Sequence, residues 1–287
     1  MNPSPISPTV RIHRHASGES GIFANAYIVE TPRGVVAVDA TLTETDSRSL
    51  RAKIESLGKP LLAVLITHGH PDHYNGATNL VGSDRVPVVA TAGVDRVIRE
   101  NDAAKERQWK PVFGDEWPAR RTFPNRIVRD RESLAFGDVT FTVHDLGPGE
   151  SHSDSIWILT GASTAAFLGD VVFNRVHAYT ADGHTTEWLD NLVRVRGLIK
   201  GIESVQPGHG DPGTAEMLDW QERYLTRYRR EVASLADAGP SLTDEGKAAL
   251  VARMKEELPT DKLEFMIGLG ADPVARELAP TAGSHSR

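Results

Sequence analysis

The chain of 287 residues has no cysteine. Structural disulfides, thiolate metal sites and cysteine nucleophiles are therefore excluded. The N-terminal stretch MNPSPISPTV lacks the basic-then-apolar pattern of a secretory leader. Long apolar runs are also missing. The longest, LLAVLI at 61–66, is strand-length and far short of the roughly 20 residues that span a bilayer. There is no basic excess: 32 Lys and Arg stand against 39 Asp and Glu, a net charge of −7. An acidic chain is a poor general binder of nucleic acid or anionic membrane. These absences predict a cytoplasmic protein that acts on a small molecule, with no nucleic-acid or membrane partner; a homodimer is left open.

What is present is ordinary globular material, 39% hydrophobic and 25% charged, and long enough to bury a sizeable core. Residues 2–8 and 279–287 are polar or Pro-rich and read as loose tails. From Val10 onward short runs rich in Val, Ile, Thr and Phe end at Gly, Pro or Asp, as strands do: 26–29, 35–39, 61–67, 86–91, 139–146, 155–159 and 164–169. Helical periodicity lies between some of them, at 43–57 after a Thr43 N-cap and at 185–200. Residues 103–125, with Trp109, Phe113 and Trp117, fit neither period and read as a lid or a surface loop; one of these aromatics is expected to wall the substrate pocket. After Gly213 the pattern turns helical: one long amphipathic helix through Leu235, then two more at 243–257 and 261–269. The whole predicts an α/β (α+β) architecture, with a catalytic domain over 10–212 and a C-terminal helical extension over 213–278 packed on it.

The densest chemical signal is Thr67-His68-Gly69-His70-Pro71-Asp72-His73, directly after the most apolar run. His68 and His70 are two apart, so in extended backbone they project to one side and can grip one metal. Pro71 favours extended geometry at His70. Asp72 and His73 then enter a helix through residue 80 and can face a second metal. Further ligand candidates each follow an apolar run beside glycine: His152 in GPGESH, Asp170 after TAAFLG, and His209 in PGHG. Strand ends with glycine-rich turns are where a sheet scaffold places functional groups. His144 reads as packed or exposed, His13, His15 and His285 as unrelated to the cluster. Asn174, Arg175, His177 and Tyr179, in the stretch after Asp170, are candidate substrate contacts, as are Trp109 and Trp117.

The HxHxDH motif, a later His, an Asp after a strand and a final His in a PGHG turn closely resemble the metallo-β-lactamase superfamily over residues 10–212. The resemblance implies a four-layer αββα sandwich with its site at one edge. It implies that His68, His70 and His152 hold one divalent metal, that Asp72, His73 and His209 hold a second, and that Asp170 bridges both. Asp39, closing VVAVD, matches the family's acidic residue near the site and would orient a ligand histidine. Zinc is the metal the resemblance favours; iron and manganese tolerate the same ligands. The implied chemistry is hydrolysis by a hydroxide shared between two metals, with Asp72 and Asp170 offsetting charge. A small carbonyl substrate (lactone, ester, thioester or lactam) leads. β-Lactams rank lower, because the family's all-His β-lactamases usually lack the bridging Asp. A thioesterase of the glyoxalase II kind is weakened by the turn GESHSD in place of GHTxGH. The alternatives are a phosphodiesterase or nuclease, or an iron-dependent redox enzyme of the same fold.

Overall fold

A computed structural model describes residues 10–82 and 86–279. The predicted tails and His285 lie mostly or wholly outside them. Two sheets account for the strands. The first holds β1 (Arg11–Ala16), β2 (Asn25–Glu30), β3 (Val35–Val38), β4 (Leu61–Leu65), β5 (Val88–Thr91) and β6 (Arg126–Val128), in that order across the sheet. The second holds β7 (Ser133–Phe136), β8 (Val139–Gly147), β9 (Asp154–Gly161), β10 (Ala165–Asn174) and β11 (Val205–Gly210), in the order 11-10-9-8-7.

Period-two alternation sorts the side chains into layers. Tyr27, Val29, Val36, Val38, Ala63 and Leu65 of the first sheet meet Phe141, Val143, Trp157, Leu159 and Phe167 of the second in one buried cluster. The intervening residues Ile28, Ala37, Val64 and Ala90 face outward. They bury the helices α1 (Glu44–Ser56), α2 (Pro71–Tyr74), α3 (Ala77–Val81) and α4 (Ala92–Phe113) through Leu50, Ile54, Tyr74, Leu80, Val94 and Ile98. On the far side Ile156, Ile158, Leu168 and Val172 pack under α5 (Thr185–Leu198) through Trp188, Leu192 and Val195. The result is αββα, the architecture the resemblance implied.

The C-terminal residues form α6 (Glu216–Ala236), α7 (Asp244–Glu257), α8 (Glu264–Leu269) and α9 (Ala271–Leu278). Sequence periodicity missed α9. Tyr224, Tyr228, Leu250, Met254, Ile267 and Val274 belong to the same apolar cluster as α5 and the outer face of the second sheet. Glu277 of α9 accepts from the backbone N–H groups of Thr185 and Thr186, at 3.0 and 2.8 Å, and so satisfies the open amides at the start of α5.

The stretch 103–125 differs from its sequence reading. Its first half is the end of α4, which starts at a Thr91 N-cap and runs for 22 residues. Pro111 sits in its last turn, where it removes one backbone donor without ending the helix. The stripe Lys105, Trp109, Val112 and Phe113 has helical spacing, but its mixture of cation and aromatic hides the period from a hydrophobicity count.

Candidate metal centre

The site forms where the two sheets are stitched together at one edge. Ser155, near the start of β9, donates both its N–H and its hydroxyl to the Thr67 carbonyl, at 2.8 and 2.7 Å. This places the segment after β4 against the turn that precedes β9. His70 is extended (φ −83°, ψ 144°), as Pro71 requires, and α2 begins at Pro71. Asp170 lies within β10, not after it: the strand runs on to Asn174, and its register with β11 shifts on both sides of Gly169. Such an irregularity re-aims a side chain. A Cβ on Gly208 would collide with the Asp170 carboxylate, which explains the glycine before His209.

Two four-residue groups result, both buried: His68, His70, Glu150 and Asp170, and Asp72, His73, Asp170 and His209. Each offers two imidazoles and two carboxylates, and Asp170 belongs to both. In the first group His70 Nδ1 is 3.1 Å and His68 Nε2 3.6 Å from Glu150 Oε2, and His68 Nε2 is 3.8 Å from Asp170 Oδ2. In the second, His73 Nε2 is 3.2 Å from Asp72 Oδ2 and 3.1 Å from Asp170 Oδ1, while His209 Nε2 is 3.2 Å from Asp72 Oδ2 and 3.3 Å from Asp170 Oδ2.

The residues fit divalent cations. Donors bonded to one tetrahedral metal at about 2.1 Å sit about 3.4 Å apart, the middle of the observed range. The buried atoms His68 Nε2, His73 Nε2, both Glu150 oxygens and Asp170 Oδ1 have no hydrogen-bond partner among the described residues. Unpaired buried polar atoms are costly and rare, and a cluster of them facing one another is the signature of a cation site. The opposite ring nitrogens are held: His68 Nδ1 lies 3.0 Å from Thr67 Oγ1, His73 Nδ1 2.8 Å from Asp39 Oδ2, and His70 Nε2 3.2 Å from Asp182 Oδ2. Asp39 also accepts from the Thr67 N–H at 2.9 Å. It therefore fixes two neighbours of the site at once, in the left-handed region at φ 61° that Asp tolerates.

The electrostatics of these groups are mutual. Burial opposes charge on the Glu150 carboxyl, and the neighbouring His70 imidazole favours it. Burial also opposes charge on His70, but the Glu150 and Asp182 carboxylates outweigh it and hold that imidazole well above its usual range. His209 is likewise raised to about 9 despite burial, by Asp170 and Asp72. Asp170 is lowered despite burial by His73, His209 and His68. His68, with the weaker carboxylate contacts, is driven well below its usual range by burial and by His73.

Several sequence expectations need correction. His152 is not in either group: it is exposed, with Nδ1 2.8 Å from His184 Nε2. Glu150, two residues earlier, stands in the first group instead. The reason lies in the turn. Asp154 accepts from the Glu150 N–H at 2.6 Å and from the Ser151 hydroxyl at 2.5 Å, and this fold of the turn leaves Glu150 pointing inward and His152 outward. No signal in GESHSD distinguishes the two donors. Asn174 and Arg175 do not line the cavity: Asn174 donates to the Asp211 carbonyl, and Arg175 lies 4.1 Å over the Trp220 ring. His177 is fully buried between the Tyr224 hydroxyl and the Thr260 carbonyl, so it braces its loop on the C-terminal helices. Tyr179 does reach the cavity, with its ring 5.0 Å from that of His70 and its hydroxyl donating to Asp182. Asp182 was absent from the sequence reading; nothing near it marks it.

Above the two groups opens a cavity of about 570 Å³. His70, Asp72, Glu150 and Asp170 form its floor. Trp109, Phe113 and Trp117 line one wall, and Phe265, Met266 and Leu269 of α8 also line it. The contribution of α8 could not be anticipated from sequence.

A two-sheet sandwich carrying paired His and carboxylate groups at one edge defines a class of metal-binding αββα proteins. Comparison places the chain within it: residues 20–209 match the family model described as the Metallo-beta-lactamase superfamily, and the chain belongs to that family. It is 24% identical over 234 residues to the Metallo-beta-lactamase type 2 of Bacillus cereus, a match covering 75% of this chain and 78% of the relative. It is 36% identical over 89 residues to the Hydroxyacylglutathione hydrolase of Alkalilimnicola ehrlichii, covering 28% of this chain and 34% of that one. Among solved structures, a beta-lactamase domain protein from Burkholderia ambifaria superposes with a TM-score of 0.69 at 21% identity, over 95% of this chain and 87% of that one. That likeness extends to most of the C-terminal helices.

Proposed function

We propose that the protein is a binuclear metal-dependent hydrolase of a small carbonyl substrate: an ester, thioester, lactone or lactam. The observation that carries this reading is the pair of buried groups sharing Asp170, with their facing unpaired atoms. Divalent cations held there would lower the pKa of water toward neutrality and polarise a substrate oxygen. His68, His70, Glu150 and Asp170 would hold one, and Asp72, His73, His209 and Asp170 the other. Zinc is the first choice; the oxygen-rich donor sets also suit iron and manganese. The chain's own groups do the rest. Asp39 and Asp182 fix the ring orientation of His73 and His70, and the three buried carboxylates would offset the cation charge.

The test is a hydrolysis screen of metal-quantified protein against lactones, thioesters, 4-nitrophenyl esters, β-lactams and phosphodiesters. Turnover is expected in one of the carbonyl classes. Activity confined to phosphodiesters would overturn the substrate class. Asp170→Asn should lower metal content at both groups and cut kcat by at least about 100-fold with circular dichroism unchanged, on the scale of losing a group that stabilises charge in the transition state. Full metal occupancy with near-normal turnover in this variant would defeat the shared-ligand arrangement.

A further inference from the structure

The cavity lining is largely apolar, with Glu19, Ser20 and Glu116 among its polar members beside the floor. Its floor is imidazole and carboxylate, while Ile22, Leu42, Trp109, Phe113, Trp117 and Met266 supply apolar walls. The apolar surface does not stop at the walls. Among the described residues the exposed large apolar side chains are Val112, Ile127, Val193, Phe265 and Leu269, and three of the five, Val112, Phe265 and Leu269, stand at this cavity. They come from the end of α4 and from α8, far apart in sequence. Exposed apolar side chains that converge on one opening mark a surface that meets an apolar ligand. Lys105 is the one Lys or Arg among the described residues that line the cavity, on the same face of α4 as Trp109 and one helical turn before it, with its Nζ 5.6 Å from the Tyr179 ring centroid.

We propose that the substrate is an amphiphile: an unbranched acyl chain lies in the trough between α4 and α8, and its carbonyl head reaches the floor. This rests on the hydrolase reading for the chemistry of the head, but the chain site stands on the trough alone. In the reaction, water adds to the acyl carbon, the bond from that carbon to the leaving oxygen, sulfur or nitrogen breaks, and the leaving atom takes a proton. A fatty carboxylate is the product, and Lys105 offers the complementary charge. The alternative occupants of such a rim, a second copy of this chain or nothing at all, have different consequences.

The probes are butyrate, hexanoate, octanoate and decanoate, titrated into the metal-loaded full chain and followed by tryptophan fluorescence. Each buried methylene should tighten binding roughly three- to fourfold until the trough is filled. Phe265→Ser and Leu269→Ser, both at exposed positions, should weaken decanoate at least fivefold, whereas Val193→Ser, exposed but outside the cavity lining, should not. Lys105→Gln should weaken decanoate more than decanol. Binding independent of chain length, or indifference to both rim substitutions, overturns the proposal. So does a concentration-dependent dimer that the rim substitutions dissociate, since the apolar surface then belongs to a subunit contact. Parallel assays with 4-nitrophenyl butyrate and decanoate separate the two readings. Chain-dependent binding without turnover of any carbonyl substrate leaves the trough and removes the hydrolase; equal turnover of both esters without chain-dependent binding does the reverse.

Discussion

Within the turn between β8 and β9 the chain offers two donors, Glu150 and His152, and only their surroundings distinguish them. Glu150 is buried with both oxygens unpaired among the described residues, and His152 is half exposed beside His184. The replacement changes the donor chemistry: a carboxylate brings a charge and hard oxygen ligands where an imidazole would bring a neutral nitrogen. Glu150→Gln, which keeps the shape but loses the charge, should reduce bound metal from close to two per chain toward one. His152→Ala should leave it unchanged. Elemental analysis of both variants purified without chelator decides the point, and metal loss in the histidine variant alone would restore the ligand set that the sequence suggested.

At the scale of elements, the site depends on supports that carry no reacting atoms. Asp154 opens β9 and is buried, and burial raises its carboxyl to about 7. Its oxygens accept from Glu150 and Ser151 and hold the turn in the shape that delivers Glu150. In Asp154→Asn an amide N–H₂ would face those donors, leaving at least one buried group unsatisfied at a cost of about 1–3 kcal/mol. A lower Tm together with lost metal is expected; a lower Tm with full metal would reduce Asp154 to a purely structural residue. The C-terminal helices act in a similar way. Through His177 and its backbone they brace the loop that carries Tyr179 and Asp182, and through α8 they close one wall of the cavity.

For the molecule as a whole, the centre concentrates carboxylates and imidazoles where the two sheets join. Cations bound there would link β4, β8–β9, β10 and β11 across that junction, and a ligand bound only by the native state stabilises it by mass action. Chelation should therefore lower Tm by on the order of 5 °C or more, given roughly 2–4 °C per kcal/mol for a chain of this size. Far-ultraviolet circular dichroism should be retained below the transition, because the three apolar clusters do not involve the metals. Scanning calorimetry with and without chelator measures this; an unchanged Tm would argue that the groups do not hold cations in the folded protein.

By itself the sequence determined what short-range spacing determines. Alternating Val and Ile runs impose strands with one face to each layer, and His-x-His in extended backbone followed by Pro-Asp-His in a helix leaves little freedom in where those four side chains point. Asp170 and His209 stood out because each follows an apolar run of the sequence beside a glycine that the structure needs, although both lie within their strands, β10 and β11. Only the tertiary structure decided between Glu150 and His152, because the choice turns on hydrogen bonds to Asp154 within a turn that neither period describes. It alone brought α8 to the cavity that α4 also lines, roughly 150 residues away in the chain. Local patterns fix the direction of a side chain relative to its own backbone, whereas a shared wall depends on how separate elements pack, and that packing is set by the continuous apolar cluster joining the C-terminal helices to the second sheet.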